Sequence, residues 1–138
     1  MSRKVVITIA DRHEIDGEPE EAKLTTVGEY DRTLTGFVLK YDETEDFSGS
    51  VTTLTVDGSK VTMHRLGGKH NAQLIVEPGK RYSCMYATEY TDLMLGVRGK
   101  DVRSRLNENG GELNFSYTLD FNTGFCSQNE LKVTFRFE

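Results

Sequence analysis

The chain has no tryptophan, two prolines, two cysteines and three histidines among 138 residues. Each scarcity excludes something. The cysteines, Cys84 and Cys126, form no Cys-x-x-Cys pair, and none of His13, His64 and His70 has a second His or Cys at metal-ligand spacing. A zinc site is therefore not expected, and no cofactor is implied. Apolar runs are short; none approaches the ~20 residues of a membrane helix. Positive charge is also scarce: 17 Lys and Arg stand against 22 Asp and Glu, a net charge of -5. Nucleic-acid binding usually needs a basic face, and none is supplied. The Gly-x-Ser-x-Gly, Walker and Rossmann signatures are absent too.

The N-terminus, Met1 to Ile9, opens on a basic pair and turns apolar, but Thr8 interrupts the run and Asp11, Arg12, His13 and Glu14 end it. A secretory signal needs a longer apolar core. The segment predicts a strand, and the expected location is the cytoplasm, where a disulfide between the two cysteines is not expected. Cys84 lies in a strand pattern and is expected as a buried thiol, whereas Cys126 falls in a predicted loop.

What is present is alternation. Leu113, Phe115, Tyr117, Leu119 and Phe121 are separated by Glu112, Asn114, Ser116, Thr118 and Asp120. One face is apolar and the other polar, which is a strand with one side buried. Leu131, Val133, Phe135 and Phe137 repeat the pattern, as do Val5, Ile7 and Ile9, then Leu24, Thr26, Gly28 and Tyr30, then Phe37, Leu39 and Tyr41. Asp57-Gly58-Ser59, Gly67-Gly68 and Asn109-Gly110 are hairpin signals, and Glu77-Pro78-Gly79-Lys80 fits a type II turn. No stretch of ~12 residues carries a helical stripe. The expectation is one all-β domain over residues 1–138: an antiparallel up-and-down lipocalin-like β-barrel of about 8–10 strands, closed so that no edge is left free. Tyr30, Phe37, Tyr41, Phe115, Tyr117, Phe121 and Phe135 are the aromatic candidates for its interior.

Tight turns fix which residues oppose each other. With Gly58-Ser59 as a two-residue loop, Leu54 faces Met63, Val56 faces Val61 and Thr52 faces Arg65. With Gly67-Gly68 as another, Met63 faces Ala72, Val61 faces Leu74 and Arg65 faces His70. Thr52, Arg65 and His70 then stand together at one end of the inner face. There Arg65 either meets an anionic or polar ligand head, or snorkels to solvent or pairs with a nearby carboxylate. Across Pro78-Gly79 the same arithmetic puts Tyr82, Cys84 and Tyr86 on the outer face. Either that turn carries a bulge, or the strand presents an apolar stripe suited to a homodimer. The acidic run Asp42 to Asp46 and the basic cluster Arg98, Lys100, Arg103 and Arg105 are expected as solvated surface.

A second line comes from the order of particular residues: Tyr41 and Glu43, Thr52-Thr53-Leu54, Val61-x-x-x-Arg65-x-Gly67, Glu77 and Gly79, Tyr86, Thr88 and Tyr90, Asn109-Gly110-Gly111, and the Leu113–Leu119 strand. From about Val5 to the C-terminus this order resembles the YwiB-like family of uncharacterised bacterial lipocalin-like (calycin-like) β-barrel proteins, a domain of unknown function. The chain departs from the family's Tyr-x-Thr-Pro-Tyr-Gly pattern, with Tyr86-Ala87-Thr88-Glu89-Tyr90-Thr91, and has Gly99 where a threonine is usual. The resemblance implies a barrel related in shape to lipocalins and fatty-acid-binding proteins, and it implies no catalytic residues.

Three functional readings follow. The first is a non-enzymatic binding module that holds a small apolar or amphipathic ligand, with Arg65, His70, Thr52, Tyr41 and Glu43 as the candidate binding residues. The second is a filled barrel acting as a protein-interaction or homodimerising module. The third is an enzyme in which Arg65, His70 and Tyr41 or Glu43 converge for acid–base chemistry.

Overall fold

A computed structural model describes residues 2–43, 49–68, 71–121 and 124–138, apart from the side chains of Phe125 and Cys126. Ten strands follow in chain order: β1 (Arg3–Ile15), β2 (Glu18–Arg32), β3 (Gly36–Asp42), β4 (Val51–Asp57), β5 (Lys60–Leu66), β6 (Asn71–Val76), β7 (Arg81–Ala87), β8 (Asp92–Asn107), β9 (Gly110–Phe121) and β10 (Gly124–Phe137). Each pairs antiparallel with its sequence neighbour, and β1 pairs with β10, so the sheet is a closed up-and-down barrel. The predicted alternation becomes the inner wall. Val5, Ile7, Ile9, Phe37, Leu39, Leu54, Val56, Leu113, Phe115 and Val133 are all buried in one cluster.

The two ends differ. At the end carrying the β2–β3, β4–β5 and β8–β9 turns, Tyr30 packs on Phe37 at 5.8 Å, Phe135 at 5.5 Å and Phe137 at 5.2 Å between ring centroids. The Arg3 guanidinium lies 3.8 Å over the Phe137 ring. This aromatic plug closes the barrel with large apolar area and favourable ring geometry. Phe121, expected inside, is instead 41% exposed. It ends β9 at the opposite end, above the closed wall.

The β4–β5 register is as predicted: Thr52 opposes Arg65, Leu54 opposes Met63 and Val56 opposes Val61. The next hairpin differs. Val61 opposes Val76, Met63 opposes Leu74 and Arg65 opposes Ala72. Its connection is longer than the Gly67-Gly68 dipeptide, and the Gly67 N–H donates to Asn71 Oδ1 at 3.0 Å. Arg65 therefore does not face His70, which lies outside the described residues. A slip of two residues keeps every side chain on its predicted face.

The β6–β7 hairpin departs by one residue: Asn71 opposes Ala87 and Ala72 opposes Tyr86. That turns Cys84 into the core at 4% exposure and Tyr82 against it. The outward apolar stripe is thus overturned in favour of an irregular turn. Pro78 bridges to Gly99 of β8, and Gly79 N–H and Gly99 N–H donate to Gly99 and Lys80 carbonyls at 3.0 Å. Register shifts also occur between Gly99 and Asp101 in β8 and between Phe125 and Ser127 in β10. The backbone of Cys126 is accordingly in a strand, not a loop. At the β8–β9 hairpin, Asn107 pairs with Gly110, so Glu108 and Asn109 form the loop in place of Asn109-Gly110.

The missing Pro and Gly around Glu89 are replaced by a side chain. Thr88 Oγ1 accepts from the N–H groups of Tyr90 at 3.2 Å and Thr91 at 3.0 Å, and donates to the Thr91 carbonyl at 2.9 Å. The hydroxyl makes the bend between β7 and β8.

Gly96 and Gly99 both lack room for a methyl group, for different reasons. A Cβ at Gly96 would meet the Arg81 guanidinium and the Asp120 carboxylate, which bridge over it. A Cβ at Gly99 would meet only the Glu77 backbone, with N at 2.7 Å and C at 2.5 Å. Side-chain ends swing aside and backbone does not. Urea unfolding is expected to show Gly99→Ala destabilised by about 1–3 kcal/mol, with Gly96→Ala clearly milder. Equal losses would contradict this account.

Candidate functional site

The inner wall is apolar along most of its length and turns polar at one end. That end carries the β1–β2, β3–β4, β5–β6, β7–β8 and β9–β10 connections. Thr52 and Arg65 arrive there as an opposed pair on β4 and β5. Tyr41 arrives from β3, opposed to Thr52, and Glu43 follows directly after β3. The Thr52 hydroxyl donates to Glu43 Oε1 at 2.7 Å, and Arg65 Nη2 lies 3.5 Å from the same oxygen. The Arg65 and Glu43 side chains are only 15% and 9% exposed, and Thr52 is fully buried. Arg65 thus turns inward and pairs with a nearby carboxylate, one of the outcomes considered from the sequence.

Of the five predicted residues, the structure brings together Arg65, Thr52, Tyr41 and Glu43. His70 lies outside the described residues, as do Thr44, Glu45 and Asp46 of the acidic run. Asp42 is exposed on the surface, whereas Glu43 is folded into the site.

The sequence reading missed three contributors: Asp11, His13 and Ser50. Asp11 and His13 continue the inward row of Val5, Ile7 and Ile9 on β1, and Tyr117, expected in the interior, projects inward from β9. His13 Nε2 lies 3.0 Å from Glu20 Oε2, and its Nδ1 lies 3.9 Å from Asp11 Oδ1. Burial pushes the Asp11 carboxyl above its usual range, against the opposing pull of His13 and Arg65. Arg65 also acts on Tyr117. A residue of β5 therefore interacts electrostatically with β1 and β9 across the lumen. Ser50 is the third. It is 1% exposed, and its hydroxyl has no hydrogen-bond partner among the described residues. It continues the buried row of Thr52 and Leu54 and sits beneath Gly68.

The phenols are held neutral. Burial raises the Tyr41 hydroxyl well above its ordinary value, and the adjacent Glu43 carboxylate adds to this. Tyr117 is raised chiefly by burial, with Asp11 adding. Among the described residues, the site sets neutral hydroxyl donors around the Arg65–Glu43 ion pair. Among the described residues, no three His, Cys, Asp or Glu side chains gather as a metal would need. The single described free cysteine, Cys84, has its thiol pushed up by burial, in part offset by a hydrogen bond to the Ile75 backbone. Surface clefts lined by Arg12, Lys100 and Gln128, and by Lys4, Val27 and Lys40, lie on the outer wall. No described helix is long and apolar enough to cross a membrane.

A family model described as a domain of unknown function, DUF1934, matches residues 7–133. The fold is similar to the crystal structure of the ywiB protein from Bacillus subtilis, with a TM-score of 0.88 at 20% identity, covering 99% of this chain and 93% of that one. At that identity the likeness establishes the fold. No curated protein matches the chain.

Two pH effects follow. Because the folded chain holds the Tyr41 and Tyr117 protons above the ordinary value of 10.0, stability falls as pH rises through and beyond that value. Absorbance titration at alkaline pH is expected to show fewer than the chain's six tyrosines ionising before unfolding. The raised Asp11 carboxyl has the same sign at lower pH: its cost is absent below 3.8 and grows as pH rises through its folded value. Asp11→Asn should therefore raise the urea midpoint at pH 7 and leave it unchanged near pH 3.

Proposed function

As the chain belongs to the DUF1934 family, whose description assigns no activity, we propose from the site itself that it is a non-enzymatic small-ligand-binding barrel. The ligand is a small amphipathic molecule whose polar head lies by Arg65. One observation carries this reading: a charged and hydroxyl-rich cluster is built into the inner wall of an otherwise apolar barrel. Burying an arginine–glutamate pair costs desolvation that a purely structural interior avoids. Half-buried Leu24 and Leu119 pack on the core, and Tyr86 is half-buried beside Ala72. They supply an apolar surface at the same end for the rest of the ligand.

The interaction reading loses the surface it relied on, since Cys84 and Tyr82 face the core. The acid–base reading drew on His70, which lies outside the described residues; what is described there is an Arg65–Glu43 ion pair beside a neutral Tyr41 phenol.

The test is native mass spectrometry of gently purified protein beside its denatured mass. Wild type is expected to carry a small molecule that is lost on denaturation. Arg65→Ala removes a charge-assisted contact of about 1.5–3 kcal/mol, so its affinity should fall about tenfold or more and its occupancy below that of wild type. Bare wild-type protein, or equal occupancy in the variant, would overturn the reading.

A further inference from the structure

We propose that the ligand head is a monoanionic carboxylate, and that the Glu43 side chain occupies the head position when ligand is absent. This rests on the reading that an amphipathic molecule enters this end of the barrel.

Glu43 lies outside the strands. Its backbone is tied to β4's approach by one hydrogen bond, Glu43 N–H to the Ser50 carbonyl at 2.9 Å. Its carboxylate is nevertheless folded inward to 9% exposure. There Thr52 donates to it at 2.7 Å, and Arg65 Nη2 lies 3.5 Å from the same oxygen. Charge-assisted pairs of this type normally close to about 2.7–2.9 Å, and arginine with carboxylate is often bidentate. A ligand free to choose its own orientation can meet Arg65 better than a side chain anchored to β3.

The surrounding groups select the head. Tyr41 is a neutral phenol, Thr52 a buried hydroxyl, Arg65 a cation, and Ser50 a buried hydroxyl with no partner among the described residues. An unsatisfied buried hydroxyl costs about 1–3 kcal/mol, and an incoming acceptor oxygen relieves it. A carboxylate offers two oxygens and about four acceptor positions. An ammonium offers none and would face Arg65. A neutral hydroxyl offers less acceptance and no charge. A dianion such as a phosphate meets Asp11 across the lumen, whose carboxyl already interacts with Arg65. Exchange of one carboxylate for another leaves the interior charge unchanged, and the displaced Glu43 charge returns to water.

Titration calorimetry with decanoate, decanol and decylamine tests this on wild type, Glu43→Gln and Arg65→Lys. Wild type should prefer decanoate. Glu43→Gln keeps an acceptor for Thr52 but removes the competing charge, so decanoate should bind about tenfold more tightly, with decanol unchanged. Arg65→Lys should weaken the preference, because an ammonium keeps the charge but does not reproduce the planar donor pair. Should Glu43→Gln fail to fold, Glu43→Asp, with its carboxylate drawn back from Arg65, should tighten decanoate binding to a smaller degree. Equal wild-type binding of decanol or decylamine overturns the carboxylate assignment and leaves the ligand-binding reading standing. Unchanged or weaker decanoate binding in the Glu43 variant overturns the stand-in role. Failure of all three amphiphiles to bind wild type removes the ligand-binding reading itself, and this inference with it.

Discussion

Strand β1 is hydrogen-bonded along both of its edges, to β2 from Arg3 to Ile15 and to β10 from Val5 to Glu14. Everything else in the molecule depends on that double pairing. Without it the ten strands are an open meander with two free edges and one unprotected apolar face. With it, alternate residues of each strand point into a shared lumen, the parity changing only where a register shift intervenes, as between Gly99 and Asp101. The barrel therefore has no freedom to send an inconvenient side chain outward. Where the inward row of β1 reaches Asp11 and His13, their polar groups enter the lumen because the wall carries them there.

The same constraint explains how an arginine comes to lie inside. Arg65 follows Val61 and Met63 on the inward row of β5, and its opposed neighbours are Thr52 and Ala72. Alanine is small and threonine donates, so the guanidinium has room and the carboxylate of Glu43 has a second holder. The opposite end shows the other solution. There the inward rows finish in Tyr30, Phe37, Phe135 and Phe137, whose rings fill the space. One closed wall thus carries an apolar plug and a polar mouth, and the chemistry of the molecule is confined to the mouth.

Alternation carries most of this structure, because period two is a property of each strand alone. Val5, Phe37, Leu113 and Val133 could be placed inside from their own neighbours. Register is different: it depends on the connection. Gly58-Ser59 is a true two-residue turn, and the pairs beside it were legible. The connection after Leu66 is longer, which moved Arg65 from His70 to Ala72 without changing its face. Pro78 was illegible for a physical reason. Its segment leaves the hairpin to pack Glu77 on Gly99, a contact between residues that are distant in sequence. Four of the five residues named from the sequence lie together at that end, and Asp11 was missed although its parity matches Ile9. A charged residue continuing an apolar inward row was the available signal. Ser50 shares the parity of Thr52 and Leu54, but it lies before β4 and Gly68 covers it, a contact that strand parity does not reveal.

The pairing of Val5 with Phe137 also has a kinetic meaning. Most ladders here join strands adjacent in the chain, so their loops close at small entropic cost. The β1–β10 ladder joins residues separated by nearly the whole chain described, which is the kind of contact that slows folding. The β1–β2 hairpin can form early, yet it must wait for β10 with one edge unpaired. The seam is thus the ladder with the greatest closure entropy, and while it is open the lumen that holds Arg65 is open to water.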